Sequence, residues 1–453
     1  MADPTLTPIP QSRRTLSGFD LAAIWFGAAI VISECWAGGL PSLAGLGLAM
    51  GLVAIVLGRL IGNGLMGAMA GIGGETGLPT MVLTRPAFGV RGSILPAIFN
   101  IAQLIGWTAW MYFVAFLYLD VLAAKVGLPT AKEQPAMTFV WIGALAVLCT
   151  AASFAGAEFW HRALKWIAGA MFVMTVWMTV LIFKNYSPAE MLAKAPAGGT
   201  SLLKGTDLVV AMSVSWLPLV ADYSRFARSR RGAAFGTFFG YLLGGTWMYA
   251  VGLLVAVAVV TDSPDQIVVK TMSEAGLIPV LIGILLVLVS TVTTTFLDIY
   301  SSAVSARSIL PRLPEKLTVI AVGLGSAALA AFLDVFKFEP FLFAIGAIFL
   351  PIFTIVLVDH YLFARGKVVT NEIDRRRGIY WFTGGVRIPA ILAWLVGFLV
   401  YDLASGFKSL SFFGVVAKQS SWRLGASIPC LVVTTAAYLI LAGAGRLAGK
   451  NAD

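Results

Sequence analysis

Two short stretches gather oxygen where an apolar chain has little reason for it. STVTTTFLDIYSS (290–302) holds Ser290, Thr291, Thr293, Thr294 and Thr295, then Asp298. A threonine in a membrane helix usually returns its hydroxyl proton to the carbonyl four residues back. Five hydroxyl residues in six positions, one turn before an aspartate, is denser than that habit requires. Thr294 and Asp298 are four apart and share a helix face. A hard cation such as sodium wants several oxygens, which two hydroxyls and the carbonyls of an unwound helix supply. The second stretch, VISECWAGGLP (31–41), sets Glu34 inside an apolar run beside Gly38, Gly39 and Pro41. An ionisable residue at membrane depth is costly and marks a function by default. Three roles suit Glu34: accepting from a ligand amine, carrying a proton, or satisfying backbone amides freed by a helix break.

Aromatic and amide groups follow. NIAQLIGWTAW (100–110) places Gln103 and Trp107 four apart. An indole stacks on a flat ring and an amide bonds to its edge. Trp107 equally suits core packing, and so do Trp36 and Trp216. DLVVAMSVSWLPLVADYSRF (207–226) carries Pro218, which removes one helical hydrogen bond and frees a carbonyl. The other ionisable residues of apolar runs have local explanations. Asp222 sits beside Arg225, an arrangement that closes a helix end with an ion pair. Asp120, Asp359 and His360 approach span ends. Arg59 is deeper, with no partner evident from the sequence.

The elements that must position these groups are membrane helices. Of 453 residues, 59% are hydrophobic and 12% charged, with mean hydropathy +0.89. A soluble domain carries about 25% charged residues. At roughly 20 residues per crossing, the length admits about a dozen helices. Spans 1 to 12 are expected at 19–43, 46–72, 93–124, 137–156, 163–184, 205–225, 233–260, 277–306, 316–333, 340–363, 387–406 and 425–446. With the N-terminus inside, the inner segments hold 21 of the 32 Lys and Arg residues and the outer ones 10. Both termini are therefore expected in the cytoplasm. The same bias explains the net charge of +10 without nucleic acid. The polar start MADPTLTPIPQSRRTLSGFD does not read as a cleavable signal.

Breaks at Gly38–Pro41 and Pro218 fall in spans 1 and 6, five apart. That offset fits two five-helix repeats of inverted topology meeting at mid-membrane. The expected organisation is a tail (1–18), a first repeat (19–184), a second repeat (205–363), two added helices (387–446) and a second tail (447–453). Cys35, Cys149 and Cys430 are scattered in apolar runs, forming neither a disulfide framework nor a metal motif. His161 and His360 are the two histidines, and neither is deep in a span. With no nucleophile–base pair or nucleotide loop, an enzyme is not expected and no cofactor is required. A channel or membrane enzyme is the rival of another class.

Three segments together resemble the nucleobase–cation symport-1 transporters, the family of cytosine, hydantoin, allantoin and hydroxymethylpyrimidine permeases. GGETGLPTMVLTRPAFGVRGS (73–93) looks like its first cytoplasmic loop. ADYSRFARS (221–229) looks like its signature after helix six, and NIAQLIGWTAW like its helix-three segment. The resemblance covers most of the chain. It implies an all-α, LeuT-like fold of about twelve helices, five plus five inverted with two added. A bundle of spans 1, 2, 6 and 7 would rock against a scaffold of spans 3, 4, 8 and 9. It implies that Trp107 stacks the ring, with Gln103 beside it, four residues before the tryptophan where the family has three. Ser213, Ser215 and Trp216 cover substrate positions of span 6. Thr293 and Thr294 match the hydroxyl pair of a sodium site, completed by carbonyls near Phe26, Ala29 and Ser290.

Cytosine and hydantoin relatives carry Asn after that pair, where this chain has Thr295 and then Asp298. The runs TTTFLDIYS and SWLPLVADYSRF look more like the hydroxymethylpyrimidine branch. That ligand has an exocyclic amine and no ring carbonyl, so it wants acceptors such as Glu34 or Asp298. The expectation is a monomeric importer in a bacterial inner membrane, driven by Na+ or H+, for a pyrimidine or purine-like small molecule. Cytosine, allantoin or a thiazole are the alternatives within the family.

Overall fold

A computed structural model of the chain describes residues 6–155, 157–194, 201–259, 261–416, 418 and 422–450. The His161 side chain and the ends of both tails lie outside the described residues. Helices occupy every expected position. Span 1 is Gly18–Ala29 with Ile32–Gly38. Spans 2 to 6 are Gly47–Thr76, Ile94–Lys125, Ala136–Ala152, Ala157–Asn185 and Leu202–Ser224. Spans 7 to 12 are Arg230–Ala258, Leu277–Ile309, Glu315–Ala330, Phe338–Val358, Ile388–Ser405 and Ser427–Lys450. Among the described residues eight helices are long and apolar enough to cross a bilayer, and the bent pair of span 1 makes a ninth. Spans 4 and 9 have 17 and 16 residues, a little under the roughly 30 Å hydrocarbon thickness at 1.5 Å per residue. No strand occurs among the described residues. Apolar side chains such as Leu243, Leu285 and Leu324 project outward from the helices, as a lipid-facing surface requires.

Local chemistry sets the ends. Ser17 accepts from the Asp20 amide, and the Asp20 carboxylate accepts from the Ser17 amide, a capping box that starts span 1. Ser229 accepts from the Gly232 amide to start span 7. Gly77, at φ +71°, ends span 2 in the left-handed region that favours glycine.

Span 1 is interrupted twice: its helix ends at Gly38 and a short helix Pro41–Ala44 follows, as the glycines and proline suggest, but the sharp bend lies earlier. The chain bends by 65° between Ala29 and Ile32, with Val31 extended at φ −136°, ψ 154°. Ile30, Val31 and Ile32 are β-branched, a run that favours extended backbone. Gly38 is helical and serves close packing: a Cβ there would lie 2.2 Å from the Tyr249 carbonyl oxygen. Span 6 is interrupted where Pro218 predicts, by a 3-10 turn over Leu217–Leu219 between Leu202–Ser215 and Val220–Ser224.

Span 7 packs on spans 1 and 2, and span 2 also on span 6, while spans 8 and 9 pack on span 3. The joint between spans 1 and 7 is a glycine seam. Added Cβ atoms at Gly236, Gly240 and Gly252 would fall 2.2, 2.3 and 1.7 Å from the carbonyl oxygens of Gly18, Ala22 and Cys35. Small residues at four-residue spacing let helix backbones meet in a membrane, where dispersion rather than hydrophobicity drives association.

Candidate binding site

Both breaks open onto one cavity of about 20 Å³. Span 1 contributes Val31, Ser33 and Glu34, and span 3 contributes Trp107 and Met111. Span 6 gives Met212, Ser215, Trp216 and Leu219, and span 8 gives Thr294 and Asp298. That volume holds a water or two, not a ring. A planar ligand therefore requires the walls to part by side-chain or helix movement.

The aromatic walls are built by edge contacts. Trp107 meets Phe341 and Phe338 at centroid distances of 5.3 and 6.0 Å, T-shaped in both cases. Trp216 is held edge-on by Trp25 at 5.6 Å and Tyr241 at 6.0 Å. T-shaped neighbours fix each indole without covering both of its faces.

Glu34 has the partner that sequence reading missed. Its carboxylate is paired with the Arg59 guanidinium and accepts from the Tyr241 hydroxyl. Arg59 is wholly buried. It also donates to the Gly245 carbonyl (3.2 Å) and the Ser213 hydroxyl (3.4 Å), and lies over the rings of Tyr249 (4.4 Å) and Tyr241 (4.9 Å). Gly245 makes room for it, since a Cβ there would lie 2.5 Å from the guanidinium carbon. Glu34 thus lines the cavity with both oxygens engaged, and the pair ties spans 1, 2 and 7 together.

Gln103 is buried but is not among the cavity's lining residues. Its amide donates to the Ser215 carbonyl and to the Asn100 side chain, each at 2.9 Å. Asn100 in turn donates to Ser305 (2.7 Å) and toward the Pro218 carbonyl (3.5 Å). The carbonyl of Pro218 itself, inside the interruption of span 6, therefore meets a side-chain donor from span 3. Asn100 opens the NIAQLIGWTAW segment, and sequence reading passed over it for Gln103.

Thr294 lines the cavity, and it and Thr293 both donate to the Ser290 carbonyl, at 3.1 and 2.7 Å. The Phe26 carbonyl accepts from Ile30 and lies beside Gly244 of span 7, while the Ala29 carbonyl accepts from Val31. Asp298 reaches the cavity at 3% exposure. Among the described residues nothing donates to its carboxylate.

Besides Gln103, three further expected contact residues do not line the cavity. Ser213 is turned to Arg59 and to its own helix at Val209. Thr295 donates to the Thr291 carbonyl, about 100° around the helix from Thr294. Trp36, two residues after Glu34 and so on another face, lines a separate cavity of about 580 Å³ with Phe336, Glu339 and Lys408. Asp222 closes its helix end through Thr80 as well as through the expected attraction of Arg225. Its carboxylate accepts from the Thr80 amide, and the Thr80 hydroxyl accepts from the Ala221 amide, both at 2.9 Å.

Residues 8–425 match the family described as permease for cytosine/purines, uracil, thiamine, allantoin. YxlA of Bacillus subtilis (strain 168), provisionally named a purine-cytosine permease, is 26% identical over 457 residues, with 94% of each chain covered. The cytosine permease of Escherichia coli (strain K12) is 24% identical over 427 residues, covering 87% of this chain and 93% of that one. Among solved structures, Mhp1, a nucleobase-cation-symport-1 family transporter, in a closed conformation with bromovinylhydantoin bound, superposes with TM-score 0.80. It is 20% identical, with 97% of this chain and 96% of that chain covered.

Proposed function

This chain belongs to the family of permeases for cytosine/purines, uracil, thiamine and allantoin, and from that premise we propose that it imports an amine-bearing pyrimidine, hydroxymethylpyrimidine first among candidates. It is a multi-pass membrane transporter of the nucleobase–cation symport-1 type, not an enzyme. The finer reading rests on one observation: Trp107, Ser215 and Asp298, whose carboxylate receives no hydrogen bond among the described residues, face a single chamber at the two helix breaks. The ring lies against Trp107 and Trp216. Its amine donates to Asp298, and the Ser215 hydroxyl and carbonyl frame its edge. Gln103 acts by holding Ser215 in place, and Glu34 by holding Arg59.

Alternating access follows from rocking spans 1, 2, 6 and 7, tied by glycine contacts and the Glu34–Arg59 pair, against spans 3, 4, 8 and 9. The organisation is a first repeat over 19–184, a second over 205–363 and two added helices. A cytoplasmic N-terminus in a bacterial inner membrane is supported by the basic inner loops. It is supported too by the N-terminal tail, which pairs Leu16 with the 226–228 segment and Arg14 with the carbonyls of Gly74 and Glu75. One chain supplies every cavity-lining residue, which favours a monomer as the transporting unit. The coupling cation is Na+ or H+. For sodium, the lone pairs of Thr293 and Thr294 would act with carbonyls of the span 1 break.

Uptake of labelled hydroxymethylpyrimidine and cytosine into proteoliposomes, with sodium and proton gradients imposed separately, tests the reading. Gradient-driven accumulation of hydroxymethylpyrimidine in preference to cytosine is expected. Preference for cytosine moves the chain to the other substrate branch, and no accumulation of any family ring removes the proposal.

A further inference from the structure

We propose that Asp298 carries the coupling proton, and that its neutral acid form reads the ring's edge by giving one hydrogen bond and receiving one. This rests on the importer reading above and names the coupling device of that same site.

Geometry leaves Asp298 as the uncommitted group. Its carboxylate faces a cavity shared with Trp107 and Ser215, is nearly wholly buried, and among the described residues receives no hydrogen bond and no cation. An ionised carboxylate so placed is costly. The other carboxylate on the cavity, Glu34, is occupied by Arg59 and Tyr241. The hydroxyl protons of Thr293 and Thr294 are both spent on the Ser290 carbonyl.

The remaining titratable groups near Asp298 do not compete with it. Tyr112 of span 3 and Tyr223 of span 6 lie within its electrostatic reach. Cys149 of span 4 lies beside Tyr112. Phenols and thiols are ordinarily neutral at pH 7. Asp222, near Tyr223, is held by the Thr80 amide with Arg225 nearby.

Chemistry then selects the protonation state. A carboxylate only accepts, whereas a carboxylic acid donates through its O–H and accepts through its C=O. An aminopyrimidine presents a ring nitrogen that accepts beside an amine that donates. The neutral acid matches this edge with two parallel bonds, and the ion matches half of it. In the transport step one proton from outside bonds to an Asp298 carboxylate oxygen. The acid O–H then donates to the ring nitrogen while its C=O accepts from the amine. When the site opens inward the ring leaves and the proton passes to water inside. With the ring gone, a cavity of about 20 Å³ still admits a water against the carboxylate, so the carrier returns without the proton.

Because the ring binds the acid form, binding takes up a proton, and affinity must fall as pH rises. Above the titration of Asp298 the slope is about tenfold in Kd per pH unit, and below it the curve is flat. Asp298→Asn keeps a donor and an acceptor in the same place and has no proton to exchange. Binding of hydroxymethylpyrimidine, with cytosine in parallel, is measured by Trp fluorescence from pH 5 to 9 alongside proteoliposome uptake. The wild type is expected to show the slope, to take up one proton per ring in weakly buffered solution, and to accumulate against a pH gradient without sodium. Asp298→Asn is expected to show only the ligand's own pH dependence in whatever binding remains, and to lose pH-driven accumulation. The wild-type measurement keeps the inference open to refutation even if the variant does not fold. Binding without proton uptake, or accumulation by Asp298→Asn in a pH gradient, overturns this inference alone. No binding of either ring at any pH removes the importer reading and this inference together.

Discussion

Replacing Arg59 with Met tests the Glu34–Arg59 pair most directly. Methionine fills much of the volume but withdraws the charge, leaving Glu34 buried with only the Tyr241 hydroxyl. The change also removes donors to the Gly245 carbonyl and Ser213 and the cation over the Tyr249 ring. Breaking a buried pair by deleting one partner costs about 3–5 kcal/mol, mostly the uncompensated charge left behind. The cation–ring contacts, each about 2 kcal/mol when desolvated, belong to the same network and do not simply add. Glu34→Gln in the Arg59→Met background removes that charge and keeps an acceptor for Tyr241. The double variant is therefore expected to regain about 2–3 kcal/mol over Arg59→Met alone, at the upper end of coupling between neighbouring residues. Unfolding of the four proteins of this cycle in detergent, followed by far-UV circular dichroism against denaturant, gives the coupling. If Arg59→Met is as stable as the wild type, or the double variant less stable than either single one, the pair does not hold the bundle together as described. A direct ligand role for Glu34 would appear instead as Glu34→Gln losing amine-bearing rings selectively with unchanged stability.

Trp107→Ala should weaken ring binding about tenfold to a hundredfold, from stacking worth about 1–3 kcal/mol; equilibrium binding by fluorescence or calorimetry checks it, with unchanged affinity as the contrary result. Gly252→Ala should abolish correct insertion or transport, because its Cβ would meet the Cys35 carbonyl at 1.7 Å, whereas Gly64→Ala, with nothing within 4 Å, should behave as wild type in the same expression and uptake assay. Asn100→Ala should lower stability by about 1–3 kcal/mol by stranding Ser305 and the Gln103 amide. It should slow uptake as well, since Asn100 joins span 3 to the interruption of span 6; wild-type melting and uptake rates together would discount that link.

The twelve spans were legible because hydropathy over some 20 residues is a strong, local signal. The break in span 6 was legible because proline in a helix interior removes a hydrogen bond. The helix end at Gly38–Pro41 was legible in span 1, but the 65° bend seven or eight residues ahead of Gly38 was not. Gly38, Gly39 and Pro41 are conspicuous in sequence, yet Gly38 is used for approach to Tyr249, and the β-branched run at 30–32 carries the bend. Glu34 and Arg59 were each visible as misplaced charges. Their pairing joins two spans 25 residues apart, which no helical period reveals. Helical geometry alone argues against Trp36 as a cavity residue, because two residues turn a helix by about 200°. The roughly 100° from Thr294 to Thr295 excludes nothing by itself, since Ser33 and Glu34 are adjacent and both line the cavity. Gln103 and Trp107 do share a face, but one turn separates the cavity wall from the brace behind it.

The glycine seam sets where distances are free to change. Backbone seated against backbone leaves no side chain to re-rotamer between spans 1 and 7, so rolling or sliding there meets carbonyl oxygens within a fraction of an ångström. Reporter pairs placed on the outer surfaces of these two spans should therefore give one fixed separation throughout turnover. Pairs set between span 6 and span 8, where the Tyr223 hydroxyl reaches the Leu297 carbonyl at 3.3 Å, straddle a joint of long side chains. Spectroscopic distance distributions there should be broad or double-peaked, which makes the first pair an internal ruler for the second.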